Sequence, residues 1–278
     1  MVRKSGSSDT GYGLNSRKEQ LNALLPYGML ATRKWLIEQG FSAHSLDNGV
    51  KSGKLLQLTS GVYSQFTTNL RWEGVVASIQ RMQATPSATA VHVGGVSALA
   101  LSGLAQYISP GNHKNVQLYS PTKLPSWVSR IETTATLTVN STRQLWPESL
   151  MQASGLLRNH EFDPNLPPIY FSCPEKAILE VIADLPDKLS FEHADELMQG
   201  LVNLSPRKLD QSLKACLSIK VKRLFLWLAE RHQYPWLSRL NTGSYELGSG
   251  KRVIAKHGAL DQQYLITVPT HMKNESRH

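Results

Sequence analysis

Apolar residues near the start of the chain recur first at helical spacing and then at alternate positions. Leu21, Leu24 and Leu25 form a stripe behind Ser16, and Glu19 sits three residues after that serine, a capping-box pattern for a helix that Pro26 ends. Thr32 predicts the cap of a second helix with Trp35, Leu36 and Ile37 inward. Gly40 stops it, and Phe41 plugs the turn. Ser42 caps a third helix whose inward residues are Leu46 and Val50. "KSGKLLQLTSGVYSQF" then reads as a hairpin, with strands near 55–58 and 62–66 around a turn at 59–61. Helices, a short turn and two strands in that order make a winged helix-turn-helix.

Farther on the pattern mixes strand and helix. A helix over 72–83 leads to Pro86. "VHVGGVSALALSGLAQYI" reads as a short strand running into a buried helix, and "KNVQLYSP" and "ATLTVNST" alternate as strands do. "PPIYFSCPEKAILEVIADLP" is a strand, then Pro174 at a helix start, then a helix with Ala177, Ile178, Val181 and Ile182 inward. Residues 190–232 predict three helical segments, broken near Gly200 and Ser218, and the tail predicts strands in "GSYELGSGKRVIAKHG" and "QYLITVP". The Gly/Ser-rich residues 1–14 read as a disordered arm. The organisation expected is this arm, a winged helix over 15–85 and a larger mixed α/β domain over 86–278, an α+β chain overall.

Charge narrows the partners. The net charge is +9 and the pI about 9.5, which favours an anionic partner such as nucleic acid. The excess is not confined to the winged helix: residues 1–75 hold nine Lys/Arg against five Asp/Glu, and 76–278 hold 21 against 16. Cys173 and Cys216 lie far apart without paired Cys/His spacing, which argues against a zinc site or a disulfide framework and suits a cytoplasmic protein. No signal peptide is visible, and the least polar run, 90–105, is too short and broken for a membrane helix.

Enzyme signatures are absent. "GVKSGKL" is one residue short of a phosphate-binding loop, and "LGSGKRV" lacks its first Gly. No Gly-X-Ser-X-Gly elbow exists. His193 among Glu192, Asp195 and Glu196 reads as a solvated helix face, and His44, His92, His232 and His257 have no metal-ligand spacing. Neither a metal nor a cofactor is expected. The third helix is more informative. Outside its apolar stripe it offers Ser42, His44, Ser45, Asn48 and Lys51, and an Asn can pair bidentately with adenine. Thr32, Arg33 and Lys34 at the start of the second helix are placed for phosphate, and Lys54, Gln57 and Thr59 lie on or near the wing. A winged helix can also serve protein contacts alone. A second basic cluster runs over 207–231. Its aromatics at helical spacing read as core, while Lys220, Lys222 and Arg223, with Lys251 and Arg252 from the tail, suggest a surface for an acidic partner.

Three stretches carry a resemblance: the winged helix through "GVY" (61–63); "VHVGGVSALALSGLAQY" followed by "PPIYFSCPEKAILEVI"; and "IKVKRLFLWLAERHQYPW" with "ELGSGKRVIAKHGALDQQYLITVP". In order and spacing, over nearly the whole chain, they resemble the AbiEi antitoxins of abortive-infection systems. The resemblance implies a non-enzymatic two-domain antitoxin. Its N-terminal winged helix would bind inverted repeats in operator DNA and repress its own operon. Its C-terminal domain would counteract a nucleotidyltransferase-like toxin, with or without direct contact. Two rivals stay open: a stand-alone winged-helix regulator whose C-terminal domain senses a ligand or sets oligomeric state, and a nucleic-acid enzyme that uses the winged helix to dock.

Overall fold

The computed structural model describes residues 19–65, 70–83, 91–104, 115–147, 150 and 155–274. The arm expected over 1–14 and the Ser16 cap lie outside them. The chain forms two compact units. Among the described residues, the first joins those up to 82 with the segments 126–134 and 161–167, and the second takes the others.

In the first unit, helix α1 (described part 19–24) precedes β1 (Leu30–Thr32), α2 (Arg33–Glu38), α3 (Ala43–Lys51), β2 (Leu56–Thr59), β3 (Val62–Ser64) and α4 (Trp72–Met82). The sheet runs β1-β3-β2, antiparallel throughout, with Ala31 opposite Tyr63 and Gln57 opposite the same residue from the other side. The helix starts are fixed by local chemistry. Thr32 Oγ1 accepts from Trp35 N at 3.2 Å, and Ser42 Oγ accepts from Ser45 N at 3.1 Å. Gly40 takes φ +96°, which lets the chain turn sharply between α2 and α3 while Phe41 buries beneath. Leu36 and Leu46 are the buried anchors. Trp35 is only half-buried and Ile37 is exposed, so the inward face of α2 is narrower than the sequence suggests.

Strand β1 has no counterpart in the sequence reading. It is three residues long, and α4 seals its outer edge: Ser78 Oγ accepts from Leu30 N at 2.9 Å, and Met82 Sδ from Thr32 N at 3.3 Å. Helix α4 can approach because Gly74 has no side chain; a Cβ there would fall on the Gly28 carbonyl. The segment 126–134 returns to staple the start of α4, where Thr134 donates its N–H to Leu70 O and accepts from Trp72 N on Oγ1 at 3.2 Å.

The second unit is built on a mixed five-stranded sheet, order β6-β5-β4-β8-β7. Its strands are β4 (His92–Val93), β5 (Asn115–Ser120), β6 (Thr136–Ser141), β7 (Leu157–His160) and β8 (Ile169–Ser172). Pairs β5/β6 and β4/β8 are parallel; β4/β5 and β7/β8 are antiparallel. Helices α5 (Gly95–Leu101) and α6 (Pro174–Ala183) follow strands β4 and β8. Helix α6 is buried on all sides, with Ala177, Ile178, Leu179, Val181 and Ile182 inaccessible, and packs against α5 and the three helices after it, α7 (Phe191–Gln199), α8 (Pro206–Ala215) and α9 (Ile219–His232). A hairpin of β9 (Ala259–Asp261) and β10 (Ile266–Val268), then α10 (Thr270–Asn274), ends the described chain.

Three expectations change here. β7 is an additional strand, whose "LRNH" lacks apolar alternation, and β9 is another, lying between the two stretches predicted as tail strands. The strand expected within 243–258 does not form: the stretch holds a 3-10 turn at 242–244 and a single bridge from Arg252 to Ile266. The cause is Arg223, which gathers the carbonyls of this loop, together with the positive φ of Gly248 and Gly250.

Candidate nucleic-acid interface

Helix α3 presents Ser42, His44, Asp47, Asn48 and Lys51 to solvent, with Ser45 half-buried. Its last turn brings Lys51 to the surface, and Lys54 and Gln57 follow on the exposed start of the hairpin, while Thr59 is half-buried. Lys51 and Lys54 are exposed, and among the described residues neither forms a salt bridge. Lys34 is also exposed and lies 3.9 Å from Glu38, a long surface pair worth little. On this exposed face of α3, Asn48 Nδ2 and His44 Nε2 lie 2.9 Å apart, one helical turn from each other.

Other predicted contacts are committed elsewhere. Thr32 and Ser42 use their hydroxyl oxygens as helix caps. Arg33 does not reach outward as a free phosphate ligand. Its guanidinium forks onto Asp47 at 2.6 and 3.1 Å and donates to Tyr63 Oη at 3.0 Å. The Asp47 hydrogen bond, with Tyr63 behind it, raises the Arg33 pKa, and the same pair holds the Asp47 carboxyl below its usual range. The fork ties α2 to α3 and β3. It also neutralises the one acid on the exposed face of α3, which would otherwise repel a phosphate backbone. Asp47 and Tyr63 were missing from the sequence reading; the acid at 47 was visible there, but its partner fourteen residues away was not. Beside α2 an open cleft of about 620 Å3 is lined by Ile37, Val62 and Trp127 among others.

The motifs of the second unit resolve into a buried polar knot. Glu180 Oε1 takes bonds from Lys176 Nζ, from Ser172 Oγ at 3.1 Å and from Trp146 Nε1 at 3.3 Å; His92 Nε2 lies 3.2 Å away. Glu180 Oε2 accepts from Gly95 N at 2.9 Å. Lys176 Nζ also reaches Ser172 Oγ at 3.1 Å and His92 Nε2 at 2.6 Å. Burial pushes the Glu180 carboxyl up, but the Lys176 charge and the His92 contact outweigh it and hold the group at about 2. A serine beside a lysine, a histidine and a glutamate has the composition of a nucleophilic site. However, Ser172, Glu180 and His92 are 0% exposed and Lys176 1%, so no substrate reaches them. The knot is a clamp between sheet and α6. It also explains the paired glycines of "VHVGG": a Cβ at Gly94 would fall on the Tyr119 ring and Glu180 Oε2. Gly94→Ala is therefore expected to destabilise the fold by about 1–3 kcal/mol, measured by urea denaturation; a loss below the error of that measurement would remove the close-approach explanation.

The basic cluster near the C-terminus is mostly internal. Lys222 and Arg223 are buried, which corrects their assignment to a surface. Arg223 donates to the carbonyls of Leu247 (2.7 Å), Gly248 (2.9 Å), Gly250 (2.8 Å) and Leu265 (3.3 Å), stringing the loop around one guanidinium. Half-buried Lys220 donates to the carbonyls of Ala183, the last residue of α6, and of Leu185 just after it. Only Lys251 and Arg252 of the proposed set stay exposed. The aromatics of α9 are core, as expected. Both cysteines are buried free thiols, pushed by burial up to about 12 at Cys173 and about 11 at Cys216, which leaves neither as a nucleophile. Among the described residues no cluster of His, Cys, Asp or Glu is arranged to hold a metal, and no helix is long and apolar enough to cross a membrane.

Comparison with known proteins places these features. Residues 15–110 match the family described as "Transcriptional regulator, AbiEi antitoxin N-terminal domain", and residues 113–269 match "Transcriptional regulator, AbiEi antitoxin, Type IV TA system". No curated protein matches the chain. Among solved structures, the crystal structure of the RV2827C protein from Mycobacterium tuberculosis is similar in fold. Its TM-score is 0.52 at 13% identity, over 91% of this chain and 90% of that one. With family matches running from residue 15 to residue 269, the chain belongs to the AbiEi antitoxins, transcriptional regulators of type IV toxin–antitoxin systems.

Proposed function

We propose that the chain represses its own operon by laying α3 in the major groove of operator DNA. The observation that carries this is the exposed row His44, Asn48 and Lys51 on a helix capped by Ser42, with Lys54 and Gln57 continuing onto the wing. Lys34, Lys51 and Lys54 hold phosphates; Asn48 and His44 face base edges. Inverted repeats in the operator would receive one copy each. The second unit relieves a nucleotidyltransferase-like toxin encoded nearby, and of the basic residues first assigned to that role the exposed Lys251 and Arg252 remain its candidates.

The test is growth of a host expressing the neighbouring open reading frame, with this protein supplied from an independent promoter. Arrest by the neighbour and recovery with this protein support an antitoxin; a harmless neighbour, or arrest without recovery, refutes it. Full-length variants separate the two roles better than truncation, because a cut near 85 strips the segments 126–134 and 161–167 of the unit they belong to. Lys251→Glu with Arg252→Glu should abolish growth rescue while a promoter reporter stays repressed. Full rescue by that double variant would exclude these side chains from neutralisation. Absence of any neighbouring toxin gene would favour the stand-alone regulator instead.

A further inference from the structure

We infer that His44 is a positioning residue that makes Asn48 specific for adenine. The inference rests on the assignment of α3 to the major groove. Both side chains are exposed on the same face of the helix, at positions i and i+4, and Asn48 Nδ2 lies 2.9 Å from His44 Nε2. An asparagine amide carries two N–H donors on one nitrogen and an acceptor oxygen. When the Nε2 lone pair of His44 is the acceptor in this contact, one N–H of the amide is committed to it. The other N–H and Oδ1 remain side by side, the donor–acceptor pair that matches adenine N7 and N6 in the major groove. An unrestrained amide can rotate, trade its two ends and lose that match. A residue that only donates at position 44 would draw Oδ1 toward itself and turn the NH2 outward. Such an edge suits two acceptors, which guanine presents as N7 and O6. The histidine thus sets the letter that the asparagine reads. Arg33 keeps Asp47, the acid between them in sequence, engaged on its far partner and out of competition for the amide.

The test is a binding-preference matrix: the full-length protein and its variants against a pool of operators randomised at single positions, at one fixed salt concentration. Asn48→Ala identifies the position, where a preference for adenine of about tenfold should flatten. At that position His44→Gln, whose side-chain oxygen can accept from the amide, should keep adenine. His44→Ala should weaken the preference several-fold, and His44→Lys, which can only donate, should shift it toward guanine. Other positions of the matrix should keep their preferences, which a generally damaged helix would not allow. If Asn48→Ala flattens a position but His44→Ala and His44→Lys leave adenine preferred there as in the parent, His44 has no positioning role. If Asn48→Ala leaves the whole matrix unchanged, α3 does not read bases through Asn48, and both statements fall together.

Discussion

Replacing Lys176 by Met lowers the stability of the protein by about 3–5 kcal/mol, the range for stripping one partner from a buried ion pair. Met keeps the length of the side chain and its packing near Trp146, so the loss reports the charge rather than a cavity. What remains is a carboxylate at Glu180 with no access to water and no counter-charge beyond His92. Glu180→Gln in the Lys176→Met background should recover part of the loss, because an amide oxygen can still accept from Gly95 N and Trp146 Nε1 without a buried charge. Urea denaturation of the parent, the two single variants and the double variant closes the cycle. Additive effects would mean that the two groups act independently, contrary to the geometry. The knot also sets an acid limit. The folded-state pKa of Glu180, about 2, lies below the ordinary value of 4.5. Its contribution is therefore fully present above about pH 4.5 and is lost as pH falls toward 2. Protein carrying Glu180→Gln is less stable at neutral pH and should lose less of its remaining stability over that acid window.

The second large effect is on DNA. If Lys34, Lys51 and Lys54 each neutralise one phosphate, the logarithm of affinity falls against the logarithm of salt with a slope of about −2.7 per copy, roughly 40-fold between 50 and 200 mM. Lys51→Ala or Lys54→Ala should reduce that slope by about 0.9 and weaken operator and scrambled DNA alike. Arg33→Ala should behave differently. It frees Asp47 on the recognition face and unties α2 from α3, so it lowers stability and introduces repulsion without removing a phosphate contact. A slope unchanged by both lysine variants would contradict the assigned grip.

How much of this was legible in the sequence follows from the range of each signal. The caps at Thr32 and Ser42, the Gly40 stop and the order of α2, α3 and hairpin were legible, because each is settled within three or four residues. So were Pro174 at the start of α6 and the three helices after it. Strand β1 was not, since its pairing comes from β3 thirty residues on and its edge is closed by α4. Arg33 and Arg223 were read as outward charges because a sequence shows a cation and not its acceptors. Asp47 lies fourteen residues beyond the first, and the four carbonyls lie 24 to 42 residues beyond the second. Lys176 and Glu180 carried the clearest overlooked signal, an i,i+4 pair of opposite charge inside an apolar helical run, where each charge needs a buried partner. Site residues on the exposed face of α3 could be placed on that face but not ranked, because the His44–Asn48 contact depends on rotamers rather than spacing.

The most direct measurement is the affinity of the full-length protein for the DNA upstream of its own coding sequence and for a scrambled fragment of equal length, with Asn48→Ala alongside, all at one salt concentration. A recognition helix that reads bases through Asn48 predicts that the parent prefers the upstream fragment. The variant should then lose roughly 5- to 150-fold of that preference, corresponding to about 1–3 kcal/mol, with its affinity for scrambled DNA kept. Equal affinity of the parent for both fragments, or a preference that Asn48→Ala leaves intact, would contradict it.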